Sequence, residues 1–168
     1  VELIVTGKAT EIKSLISKYS STALSDIPNN LTFKINDGNE LVLTKAELDQ
    51  LDARIEGVVK VSDTNSGVAA LLNDSISTNV KQIEVAGSGT LTVDLDQFRN
   101  LPSYYSEDIT LLDSEDNVVK ALGEDLLDDR VTQIVLTGES TALGKPDSNL
   151  SGQGSASTKD TALTVTAA

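Results

Sequence analysis

The chain has 168 residues, with 13 Lys and Arg against 26 Asp and Glu, for a formal net charge of −13 at pH 7. Such a field repels phosphate backbones and anionic lipid heads, which argues against nucleic acid and membrane surfaces as partners. His, Cys and Met are absent, which excludes imidazole bases, thiol nucleophiles, zinc and copper ligation by those side chains, and haem ligation.

With aromatics at 3% and no Trp, the core has to be built from Leu, Ile, Val and Ala in many small contacts. No apolar run approaches the length of about 18 residues that would span a bilayer, so membrane insertion is not expected. The lack of Cys suits an exported protein that does not depend on disulfides. Beginning at Val1 without Met or a charged and apolar leader, the chain reads as an excised or processed piece of something longer.

Glu2 to Thr6 alternates and is rich in β-formers, while Lys8 to Lys18 sets Ile12, Leu15, Ile16 and Tyr19 on one helical face. Strand then helix is predicted. After a connection from Ser20 to Asn30, two alternating runs, Leu31 to Asn36 and Glu40 to Thr44, flank Asp37-Gly38-Asn39. That spacing predicts a β-hairpin closed by a type I′ turn. Thr44-Lys45-Ala46-Glu47 has capping-box form, and a second helix should follow to about Ile55.

Val58 to Val61 predicts the next strand, with Ser62 or Asp63 capping a helix from Asn65 to Asp74 that carries Val68, Leu71 and Leu72 inward. Ile83 to Val85 and Leu91 to Val93 flank Gly87-Ser88-Gly89 as a second expected hairpin, and Asp94-Leu95-Asp96-Gln97 takes the next capping position. A strand at Ile109 to Leu112, a helix around Glu115 to Leu127 and a strand at Val131 to Thr137 complete the periodic part. From Gly138 to Asp160 the composition turns to Gly, Ser, Thr and Asn and reads as linker, with Ala162 to Thr166 as a closing strand.

These elements recur. Val5-Thr6-Gly7 with Ile12, Leu15 and Ile16 aligns with Val61-Ser62-Asp63 and Val68, Leu71, Leu72, then with Leu111-Leu112-Asp113 and Val118, Ala121, Leu122. The offsets are 56 and 50, and Leu41, Val42, Leu43, Leu48, Leu51 match Leu91, Thr92, Val93, Phe98, Leu101 at a constant 50. A unit of about 50 residues is expected, running strand, helix, strand, hairpin, strand, helix. The units are 1–57, 58–107 and a partial 108–137, followed by a Gly/Ser/Thr-rich tail at 138–168. The expected class is α/β (α+β), with internal repeats and helices packed on mixed sheets.

Val-x-Asp-Thr-x-x-x-Val-x-x-Leu-Leu from Val61 to Leu72, Ile-x-Val-x-Gly from Ile83 to Gly87, and Leu91-Thr92-Val93 together resemble repeats of large secreted bacterial surface proteins. These include adhesins, S-layer-like proteins and RTX-type exoproteins. The resemblance covers about residues 2 to 137 and implies export, a bacterial cell-surface or extracellular location, tandem arrays and often calcium. The Gly-Gly-x-Gly-x-Asp series of the calcium-binding RTX repeat is absent from this chain.

Acidic residues crowd the third unit, where Asp113, Glu115 and Asp116, and then Asp125, Asp128 and Asp129, offer oxygen ligands to a hard cation such as Ca²⁺. Neither stretch matches an EF-hand loop. The simpler account makes Asp113 a helix cap and its neighbours a solvated face that complements the helix dipole. Asp128 and Asp129 read as standing at a helix C-terminus, where negative charge is unfavourable, and this raises their candidacy.

Tyr104 and Tyr105 after Pro102 are adjacent rings in a loop, suited to glycan or peptide contact and equally to covering a core edge. Asp94 and Asp96 resemble a glycosidase pair only in being two carboxylates, and without His or Cys no nucleophile and base assemble, so an enzyme is not expected. The leading expectation is a non-enzymatic structural or adhesive repeat module whose partners are neighbouring repeats or cell-surface components. The alternative is a glycan- or peptide-binding domain that uses Tyr104 and Tyr105, with calcium as its only candidate cofactor.

Overall fold

A computed structural model describes residues 1–20, 24–87, 89–138 and 164–166. The elements in chain order are β1 (Leu3–Gly7), α1 (Ala9–Ser20), β2 (Leu31–Ile35), β3 (Leu41–Leu43), α2 (Lys45–Leu51), β4 (Ile55–Glu56), β5 (Val59–Asp63), α3 (Asn65–Leu72) and β6 (Val80–Val85). They continue with β7 (Leu91–Val93), α4 (Leu95–Arg99), β8 (Ile109–Ser114), α5 (Glu115–Gly123), β9 (Val131–Thr137) and β10 (Thr164–Thr166). Single turns of 3-10 helix lie at Leu24–Asp26 and Asp52–Arg54. The protein is α/β, as its alternating strand and helix patterns predict. The expected linker at 138–160 lies outside the described residues except for Gly138, and the closing strand is β10.

The strands form three small sheets, ordered β1-β2-β4, β3-β5-β6 and β10-β9-β8-β7. Pairing is parallel in the first two, and the third becomes mixed only where β10 runs antiparallel to β9. Each helix therefore crosses between parallel neighbours, which is what a three-strand parallel sheet requires.

Both expected hairpins are corrected by this pairing. β3 does not return along β2 but runs beside β5, with Leu41 next to Val59 and Leu43 next to Val61. β7 likewise leaves β6 and runs beside β8, with Leu91 next to Ile109. A type I′ turn needs positive φ at both central residues, and at 37–38 only Gly38, at φ 68, supplies it. Asp37 instead accepts hydrogen bonds from the N–H of Ala9 and from the N–H and Nδ2 of Asn39. The chain is thereby turned onto the next sheet rather than back along its own; Ser88 of the second turn lies outside the described residues.

Alternation within the strands sends one face inward. Leu41, Leu43, Val59, Val61, Leu91, Ile109 and Leu111 are completely buried, and one continuous apolar cluster extends from Ile12 to Val131. It is almost wholly aliphatic, with Phe33, Phe98 and Tyr105 as its rings. The outward face carries cross-strand ion pairs, Lys34 with Glu56 and Lys60 with Glu84, beside the exposed apolar residues Ile4, Val42 and Leu112.

Candidate functional site

The helix starts position the acidic side chains. α2 and α4 begin with complete capping boxes, Thr44 with Glu47 and Asp94 with Gln97. The caps of α3 and α5 are Thr64 and Ser114, where Ser62 or Asp63 and Asp113 are expected. β5 runs on through Asp63 and β8 through Ser114, so each aspartate belongs to the strand end and serves a different purpose.

Asp63 Oδ1 accepts the N–H of Thr64 at 2.7 Å while Oδ2 accepts the N–H of Lys45, the first residue of α2, at 2.8 Å. Asp113 accepts Ser114 at 2.7 Å and Leu95, the first residue of α4, at 2.8 Å. Each carboxylate thus ties the tip of one strand to the start of the helix before it, satisfying an amide that the helix itself cannot. Burial pulls the Asp113 carboxyl upward, but the donors Leu95, Asn117 and Ser114 outweigh it and hold the group below its ordinary range.

The remaining acidic candidates are dispersed. Glu115 and Asp116 are exposed in the first turn of α5, where they complement its dipole. α5 ends at Gly123, earlier than the expected Leu127, in a Schellman motif: Asp125 takes φ 52, its N–H bonds Leu122 O at 3.3 Å, and Leu126 N–H bonds Ala121 O at 3.0 Å. Asp128 and Asp129 are therefore in a turn beyond the helix, not at its C-terminus, and meet no adverse dipole. Among the described residues, no three carboxylates are grouped as a cation would need.

Arg130 organises this end of the molecule. Its guanidinium pairs with Asp128 at 2.6 Å, which lowers the Asp128 carboxyl, and donates to Pro102 O at 3.3 Å and Tyr105 O at 3.0 Å. It also lies 5.6 Å from the centroid of the Phe98 ring. Tyr105 is 2% exposed, and burial pushes its hydroxyl up to about 12. Tyr105, Asp128 and Asp129 border one depression of about 400 Å³, with Arg130 among them. Tyr104 points elsewhere: 41% exposed, it borders a groove of about 500 Å³ with Asn73, Asp74, Lys81 and Asn100.

The two tyrosines therefore separate into a core ring and a surface ring. The bonds of Asp63 and Asp113 to the preceding helix, at residues expected as caps or as a cation ligand, and the role of Arg130 are what sequence reasoning missed. The signal for the first was present, since Asp-Thr at 63–64 and Asp-Ser at 113–114 recur at one offset. Family models, curated proteins and solved structures were all compared with this chain, and none matches it.

Proposed function

We propose that this chain is a non-enzymatic structural module, built of tandem units, from a secreted bacterial surface protein, where its task is to space and present what it is joined to. The observation that carries this reading is the shared task of Asp63 and Asp113, fifty residues apart, each binding the first amide of the preceding helix over 2.8 Å. A capping contact between two elements is costly to arrive at twice by chance, and simple to inherit by duplication.

Exposure along the chain supports the same reading. Leu122 is 59% exposed, whereas Ile16 and Leu72 at the matching place on α1 and α3 are 0% exposed. An apolar position buried where a further unit follows and open on the last unit is what a stack of units leaves at its end. The charge of −13 keeps such an array soluble. Surface location and export rest on the resemblance of the repeat pattern.

Single-molecule stretching of the whole chain tests the proposal. Unit-sized unfolding steps of about 50 residues, or roughly 17 nm at about 3.5 Å per residue, are expected. Release of the entire length without resistance would contradict it.

A second reading is favoured by one observation, the groove beside Tyr104, which joins an exposed ring to the polar groups of Asn73, Asn100 and Lys81 as glycan and peptide sites do. If it holds a glycan or peptide, Tyr104→Ala abolishes capture on glycan and peptide arrays without lowering the melting midpoint. Equal capture by both proteins contradicts it.

A further inference from the structure

β1 and α1 present to solvent the surface that β5 and α3 bury. Among the described residues β1 stands at the edge of its sheet, whereas β5 and β8 are paired on both sides. On the matching side of β5 runs β3, parallel, leading into α2, which packs on both β5 and α3. Leu3, at the place of Val59 and Ile109, is 51% exposed where they are 0%. Beside it a groove of about 280 Å³ runs between β1 and α1, lined by Val5, Gly7, Glu11, Ile12 and Leu15. Ile12 is buried like the matching Val68, but Val5 and Leu15 are only half-buried where the matching Val61 and Leu71 are buried, and α2 packs on the elements that carry those two.

A carboxylate is also in place. Glu11 Oε2 accepts the N–H of Lys8 at 3.0 Å, as Asp63 accepts Thr64 and Asp113 accepts Ser114. It lies 3.3 Å from where a Cβ on Gly7 would be, so Gly7 leaves the space that Glu11 fills. At the second unit the roles are exchanged: a Cβ on Gly67 would lie 2.3 Å from Asp63 Cγ, so Gly67 leaves the space and Asp63 fills it. The same acidic group is thus supplied from opposite chain positions.

We propose that the β1 edge and its groove receive a parallel strand followed by a short capped helix, of the kind formed by Leu41–Leu51, from a unit joined ahead of β1 in the same polypeptide, with Glu11 accepting the first amide of that helix. The proposal rests on the module reading. Attachment ahead of β1 follows from the interior example, in which α2 reaches β5 through the short segment 52–58. A three-residue strand holds an edge only when tethered, because tethering raises its effective concentration.

The test places a copy of Glu40 to Glu56 directly before Val1 in the full chain, which reproduces at Leu3 the spacing between Leu41 and Val59. Leu3 N–H bonds Asn30 O at 2.8 Å, so by alternation the Ile4 and Thr6 amides face the open edge. Those two amides should exchange at least about tenfold more slowly in the extended chain, and the melting midpoint should rise. Neither change should appear when the copy carries Leu41→Asp and Leu43→Asp. Glu11→Ala should lower the midpoint further in the extended chain than in the original.

Unchanged exchange at Ile4 and Thr6 overturns the proposal. So does protection of these amides by self-association of the original chain, which would make a second copy the occupant. Because stretching tests the module reading separately, unit-sized steps together with unprotected β1 amides would refute the docking alone.

Discussion

Gly67 and Asp63 occupy one space from two chain positions: a Cβ on Gly67 would sit 2.3 Å from the Asp63 carboxyl carbon and 2.6 Å from each of its oxygens. Glycine inside a helix ordinarily costs up to about 1 kcal/mol relative to alanine, so Gly67→Ala would be stabilising on helix propensity alone. The crowding reverses that sign. We expect Gly67→Ala to destabilise by roughly 1–3 kcal/mol, because the carboxylate has to leave the Lys45 and Thr64 amides. In an Asp63→Ala background the same change should become neutral or stabilising. A double-mutant cycle by urea denaturation measures the coupling, and additive effects would refute the shared space.

Asp113, at the end of β8, should behave as a cap for the helix before its strand rather than the one after it. Asp113→Ala removes the acceptor for Leu95, Ser114 and Asn117, and a loss of roughly 1–2 kcal/mol is expected. Its folded-state carboxyl lies below the ordinary 3.8, as does that of Asp128. A depressed carboxyl stabilises the fold above the unfolded value and ceases to do so as pH falls through the folded value. Stability should therefore decline as pH drops below about 4, and Asp113→Asn should flatten that decline. Urea midpoints measured from pH 7 to pH 2 would show it.

The neighbouring tyrosines should differ in kind. Tyr105, 2% exposed, is expected to cost about 3–5 kcal/mol on truncation to alanine, while Tyr104, 41% exposed, should cost under about 1 kcal/mol. Thermal melts of the two variants separate them. A comparable loss for Tyr104→Ala would place that ring in the core.

Calcium should have little hold on the acidic stretch. Asp113 and Asp128 are already engaged by N–H donors, and Glu115, Asp116, Asp125 and Asp129 are exposed residues of turns and of a helix start. A cation at about 100 times its dissociation constant would add roughly 2.7 kcal/mol to stability. We expect the melting midpoint in millimolar calcium to equal that in EDTA. A rise that magnesium does not reproduce would establish a specific oxygen-ligand site.

Much of the fold was legible in local patterns. Ile12, Ile16, Val68, Leu72 and Val118 follow helical spacing and are buried, and Thr44 with Glu47 forms the capping box that their spacing implies. Strand partners were not legible, because Asp37-Gly38 is equally good chemistry for a hairpin and for a turn that changes sheets. The choice is made by contacts distant in sequence, such as Ala9 N–H to Asp37 and Leu41 beside Val59. Helix caps were misplaced for a related reason, since Asp63 and Asp113 are claimed by amides eighteen positions away. Tyr104 and Tyr105 could not be told apart, because the carbonyl that Arg130 captures lies on a loop with no periodic signal.

Truncation after Gly87 measures most directly whether the proposed units fold as units. The shortened chain keeps β1 to β6 and loses the sheet that begins at β7. If the units are modular, it should melt cooperatively at a lower midpoint, with slow amide exchange retained at Val59, Val61 and Ile83. A chain that loses all protection and melts without a transition would show that the sheets form one indivisible domain, and would contradict the modular reading.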